Sequence, residues 1–177
     1  MNRIVKISAA GLAALAMLAV VPATMQAQNP DLSGTWSFNA DKSELPQTAG
    51  TSGRGGGRGG GLMGGGGDMV IASEGNTVTI TTTMTGRDGT SRQRVQTIIA
   101  DGEEHVEETQ RRSTTTVAEW KDGVLHVTQT MGFGDRTMTT TSTYTLTGNG
   151  QVLEVVTERP GFQGGGTITT KLVYDKK

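Results

Sequence analysis

The residues able to do chemistry in this chain are few, and their types narrow the field quickly. There is no cysteine, so thiolate nucleophiles, thiolate metal sites and disulfides are all excluded. Only two histidines occur. His126 sits between Leu125 and Val127, so in a strand it faces away from them, opposite Glu119 across a tight turn, as a surface charge pair. His105 groups with Arg94, Gln96 and Glu107 on an outer face in the same way. With both histidines pointing outward, an axial haem ligand or a metal centre has no support. Neither Gly-x-Ser-x-Gly nor His-Glu-x-x-His appears, and the expectation is a non-enzymatic protein without a cofactor. What remains is recognition chemistry. Trp120, Tyr144, Tyr174, Gln93 and Gln129 are expected on one inner face, together with Thr82, Thr97, Thr114, Thr116, Ser142 and Thr157. A mostly apolar lining with a few polar groups suits a small, partly apolar ligand.

The elements that would carry these residues are strands. Asp31-Leu-Ser-Gly-Thr-Trp-Ser-Phe38 alternates, with Leu32, Gly34, Trp36 and Phe38 on one face. Ahead of the next strand, Asn39 to Glu44 is expected to form a turn or a single helical turn. From Asp68 onward, two-residue turn signals recur at Gly75-Asn76, Asp88-Gly89, Asp101-Gly102, Asp122-Gly123 and Asn149-Gly150. Each fixes a register. Gly75-Asn76 pairs Ile71 with Ile80 and Ser73 with Val78. Asp88-Gly89 would pair Val78 with Ile99, Ile80 with Thr97 and Thr82 with Val95. Asp101-Gly102 would turn Glu104, Val106 and Glu108 inward. Asp122-Gly123 pairs Trp120 with Leu125 and Ala118 with Val127, and Asn149-Gly150 pairs Leu146 with Leu153 and Tyr144 with Val155. The other face is threonine-rich, as in Thr137, Thr139, Thr141, Thr143 and Thr145. Such a face is too polar for a lipid-facing barrel. An all-β, antiparallel up-and-down meander of about ten strands, closed into a barrel, follows.

The first 27 residues have the form of a signal peptide: Arg3 and Lys6, an apolar run from Leu12 to Val21, and a small residue at Ala27. The run is shorter than the ~20 apolar residues of a membrane span. Cleavage near Ala27, with Ala23 as the alternative, gives a periodic plan of one domain over 28–177 and a periplasmic or secreted location, without a transmembrane segment in the mature chain. That chain holds 14 basic and 17 acidic residues, a formal −3, a balance that favours neither nucleic acid nor an anionic membrane. Arg54-Gly-Gly-Gly-Arg58 lacks the aromatic residues that nucleic-acid-binding segments interleave. It belongs to a glycine-rich tract, 50–67, expected to be a flexible loop able to reach over an open barrel end.

Gly34-Thr35-Trp36 on a first barrel strand resembles the Gly-x-Trp signature of the lipocalin and calycin superfamily. The wider pattern Leu-Ser-Gly-Thr-Trp-x-x-Asn-x-x-Lys-Ser (Leu32 to Ser43), the Trp120-x-Asp-Gly-x-Leu125 hairpin and the closing Leu-Val-Tyr-Asp (Leu172 to Asp175) resemble secreted lipocalin-like proteins of environmental bacteria. The resemblance implies a lipocalin-like barrel plugged at one end by Trp36, and a basic residue near the C-terminus packed on that ring. Arg159, Lys171 and Lys176 are the candidates. It carries over no ligand contact, because these follow no motif. Two readings of function stay open: a carrier of a small apolar molecule, or a structural or protein-interaction component of the cell envelope with a packed barrel.

Overall fold

The computed structural model describes residues 29–44, 67–85, 90–109, 112–134, 136–161 and 166–177. The signal-peptide segment, the glycine-rich tract 50–67 apart from Gly67, and the Asp88-Gly89 turn lie outside the described residues. Ten strands follow one another: β1 (Gly34–Glu44), β2 (Met69–Glu74), β3 (Thr77–Thr85), β4 (Ser91–Ile99), β5 (Glu104–Thr109), β6 (Arg112–Lys121), β7 (Val124–Phe133), β8 (Arg136–Thr147), β9 (Val152–Pro160) and β10 (Thr167–Lys176). They form one antiparallel sheet in the order β4-β3-β2-β1-β10-β9-β8-β7-β6-β5. Every neighbour in sequence pairs except β4 with β5, and β1 pairs β10. The result is an up-and-down barrel with one seam.

Turn chemistry explains most of the registers. Asp122 and Gly123 both have positive φ, 50° and 77°, as a two-residue hairpin turn of the twist-compatible type requires. Trp120 accordingly faces Leu125, and Ala118 faces Val127. Ile71 faces Ile80, and Leu146 faces Leu153. Because turns alternate between the two ends, the connections at 75–76, 100–103, 122–123 and 148–151 share one end with residues 29–33. The strand ends at Glu44, Thr85, Ser91, Thr109, Arg112, Phe133, Arg136, Pro160 and Thr167 point to the other.

Two expectations fail, and they fail together. β4 pairs β3 as Val78 with Ile98, Ile80 with Gln96 and Thr82 with Arg94, one residue away from the register a two-residue Asp88-Gly89 turn imposes. Thr85 faces Ser91, so the loop spans five residues. A one-residue slip exchanges the two faces of a strand. Thr97 and Val95 therefore face outward, and Val95 is 62% exposed. Asp101-Gly102 is no hairpin turn either. Ala100 donates to the Asn76 carbonyl and Gly102 to the Ala118 carbonyl, so the chain steps from β3 across to β6 and leaves β4 and β5 to diverge. On β5, His105 faces Thr116 and Glu107 faces Thr114, inward positions both. Glu104, Val106 and Glu108 turn outward instead.

The stretch Asn39 to Glu44 is also no turn. It continues β1 through an irregularity, Asn39 opposite Val173 but Glu44 opposite Lys171. Ser43 Oγ donates to the Asn39 carbonyl (2.6 Å) and accepts from Val173 N–H (2.9 Å). Asn39 Nδ2 donates to Asp175 (2.5 Å), and Lys42 pairs with the same carboxylate at 3.0 Å. The Asn-x-x-Lys-Ser motif and the closing Val-Tyr-Asp thus meet as a seal between β1 and β10. These residues build the barrel rather than bind anything.

Candidate ligand-binding interior

One end of the barrel is solid. Leu32, Trp36, Val78, Ile98, Ala118, Leu125 and Leu153 have no accessible surface. Trp36 Nε1 donates to the Leu32 carbonyl at 3.0 Å, which satisfies the indole's one donor without water. Lys176 Nζ lies 5.2 Å from the centre of the Trp36 ring, a cation–π contact. The basic residue that the resemblance implies is therefore Lys176; Lys171 instead pairs with Glu154 at 2.9 Å on the outer face. Gly34 makes room for it. A Cβ there would stand 2.7 Å from Lys176 Cε, and φ is +145°. Pro30 lies against Gly123, so the N-terminal segment caps this end.

Beside that plug the lining changes character. Trp120, Leu125 and Tyr144 form one row across β6, β7 and β8. Trp120, Tyr144, Leu146 and Phe38 pack against the core yet stay only partly buried. Gln129 Nε2 donates to Thr116 Oγ1 (3.3 Å), and Ser142 and Thr157 share a hydroxyl hydrogen bond of 3.0 Å. Tyr174 packs edge-on against Phe38, ring centres 5.7 Å apart. Burial pushes the phenol of Tyr174 up to about 12. Burial does the same to Tyr144, also to about 12, reinforced by Tyr174 and opposed by the charge of Arg94. Trp120 Nε1 is buried without a hydrogen-bond partner. Buried donors are ordinarily satisfied, so this one awaits an acceptor.

Of the five residues expected to line the interior, four share its face: Trp120, Tyr144, Tyr174 and Gln129. Gln93 does not. It lies opposite Thr83 on the outer face and is exposed, because the longer β3–β4 loop shifts the strand by one residue. The same shift brings in what the sequence had placed outside. Arg94 and Gln96 on β4 take inward positions, as do His105 and Glu107 on β5. His105 is held at 3.0 Å from both oxygens of Asp101, whose carboxyl is held below its usual range by the Glu103 backbone N–H and then by His105. His126 faces Glu119 as expected, but Glu119 forms its ion pair with Lys121. Among the described residues, no group of three acidic, histidine or cysteine side chains could hold a metal.

Comparison with solved structures places this architecture. A secretory abundant heat soluble (SAHS) protein from Ramazzottius varieornatus superposes with TM-score 0.51 and 15% identity, over 84% of this chain and 98% of that one. Secretory abundant heat soluble protein 4 from the same organism gives TM-score 0.52 and 15% identity, over 83% and 95%. Fatty-acid-binding protein 1 of Echinococcus granulosus gives TM-score 0.49 and 16% identity, over 81% and 96%. The chain shares with them an antiparallel up-and-down β-barrel fold. No protein-family model and no curated relative matches the chain.

Proposed function

We propose that the barrel interior binds a small, partly apolar molecule, and that the protein acts as an exported, non-enzymatic carrier or scavenger. The observation that carries this reading is the inward row of Trp120 and Tyr144. Both rings face the interior and pack on the core, yet both keep accessible surface. Partial exposure of large rings on the inner face is what side chains bordering a binding space would show. A structural barrel of this size would fill its interior with large aliphatic side chains, whereas the inward rows beyond Trp120 and Tyr144 hold Ser142 and Thr157, then Thr116 and Gln129. Export rests on the Arg3/Lys6 charges, the apolar run and Ala27, and N-terminal sequencing of extracytoplasmic protein tests it.

A neutral, environment-sensitive dye should bind saturably at about one per protein. Thr116→Phe, which pushes a ring into the interior beside Gln129, should abolish binding while far-ultraviolet dichroism stays unchanged. Gln129→Leu should alter affinity, since it removes a polar group from the lining. Absence of saturable binding to the folded protein would overturn the carrier reading.

A further inference from the structure

The arginines and the lysines among the described residues are placed differently. Among the described residues there are five arginines, Arg92, Arg94, Arg112, Arg136 and Arg159. Every one occupies an inward register position in the half opposite the Trp36 plug. Arg92 faces Met84 on β3, next to the inward pair Arg94 and Thr82. Arg112 is two residues from inward Thr114. Arg136 continues the row of Met138 and Thr140, and Arg159 that of Val155 and Thr157. Arg92, Arg112, Arg136 and Arg159 each lie within three residues of a strand end, so four different strands contribute one guanidinium to a single rim.

The lysines behave otherwise. Lys42, Lys121, Lys171 and Lys177 each pair with a carboxylate, and Lys176 covers the Trp36 ring. None of the five arginines forms an ion pair among the described residues. On β5 one acid, Glu107, shares their inward face, whereas Glu108 and, on β9, Glu158 turn outward. Among the described residues, the inward positions toward this end therefore hold five arginines and one acid, Glu107.

Arg94 stands one inward position deeper than the rim. It is partly buried, and its charge is felt by Tyr144 on the opposite wall. Among the described residues Arg94 forms no ion pair. A half-buried guanidinium near a phenol and without a carboxylate partner calls for an acceptor that carries charge.

We propose that the ligand is an anion-bearing amphiphile, its carboxylate or sulfonate-type head held by Arg94 inside the mouth and drawn in by the rim arginines. This rests on the interior being a binding site, as proposed above, and adds the ligand's charge. A ring of like charges around an opening focuses the field and raises the encounter rate of an anion, an effect that falls with ionic strength. The deeper guanidinium, less hydrated, then supplies affinity through charge-assisted hydrogen bonds.

Two dyes sharing one frame separate the claims: 1-anilinonaphthalene-8-sulfonate, and N-phenyl-1-naphthylamine, which lacks the sulfonate. The protein should bind the sulfonate about tenfold or more tightly than the neutral dye, the scale of a charged hydrogen bond. Arg94→Gln should reduce that preference to near unity while leaving neutral-dye affinity within about twofold. Arg94→Lys, which keeps the charge, should retain part of the preference and also controls for folding. Arg112→Gln with Arg136→Gln should slow sulfonate association at low salt and change dissociation little. Equal affinity of the unmodified protein for the two dyes overturns the anionic ligand while leaving the binding site standing. A sulfonate preference that survives Arg94→Gln overturns Arg94 as the anchor. Saturable binding of neither dye removes both this inference and the function it rests on.

Discussion

The plugged end and the open end of the barrel use the same strands to opposite purposes. At the plugged end Trp36 Nε1 is answered by the Leu32 carbonyl and Asp175 by Asn39 and Lys42, while Ser73 Oγ is buried without a partner. Toward the open end none of the described arginines forms an ion pair, and Trp120 Nε1, near the strand end that leads into the 122–123 turn, is a buried donor without a partner. The same two β-hairpin layers thus separate stability from availability along the barrel axis. A substitution's cost should depend first on which end it strikes.

The sharpest test of that contrast is Trp36→Ala. It removes the largest fully buried side chain and strands Lys176, so urea unfolding should show a loss of about 3–5 kcal/mol. A loss below about 1 kcal/mol would erase the distinction between the ends. Alkaline titration probes the boundary between them. Tyr174 and Tyr144 both ionise near 12 in the fold rather than at the ordinary 10. Their stabilising effect is complete below pH 10, where both states are protonated, and is lost as pH rises from 10 through 12, because only the unfolded chain gives up its protons there. Each ring is worth about 2–3 kcal/mol across that window. Tyr144→Phe should therefore flatten part of the alkaline loss, measured as Tm between pH 9 and 12.

Gly34→Ala should cost about 1–3 kcal/mol, from the positive φ and from the Cβ contact with Lys176. Lys176→Ala made in the same chain should recover the steric part, and a double-mutant cycle in urea measures the coupling. The smallest effects belong to the outer face. Thr141→Ala, and Gln93→Ala on β4, should each stay within about 0.5 kcal/mol and leave dye affinity unchanged. A binding effect at Gln93 would mean that the β3–β4 register is the one a two-residue turn predicts.

How far the sequence could be read follows from where information about register is local. At Asp122-Gly123 and Asn149-Gly150 the turn residues adopt the positive φ that their types favour, and the partners Trp120–Leu125 and Tyr144–Val155 follow. At Asp88-Gly89 the same dipeptide sits in a longer loop, and the alternation of β4 is ambiguous because apolar Val95 and Ile99 share one face and Ile98 the other. Burial chose Ile98. That choice sent Gln93 out and brought Arg94 in. No local signal for the divergence at Asp101-Gly102 exists, since it depends on the Ala118 carbonyl of a strand far along the chain.

The amino-acid sequence by itself determined the all-β meander, the three hairpin registers that turn chemistry and apolar pairing both enforce (at Gly75-Asn76, Asp122-Gly123 and Asn149-Gly150), the Trp36 plug and the absence of thiol chemistry. Its alternation at two-residue period and its glycine-bearing turns are sufficient for that, because each acts over a few residues. Only the tertiary structure decided which face β4 and β5 present, that the barrel has a seam between them, that Lys176 and not Arg159 or Lys171 covers Trp36, and that five arginines share one mouth. Those outcomes depend on which strand end meets which across the barrel, and strands that share an end are far apart in the chain.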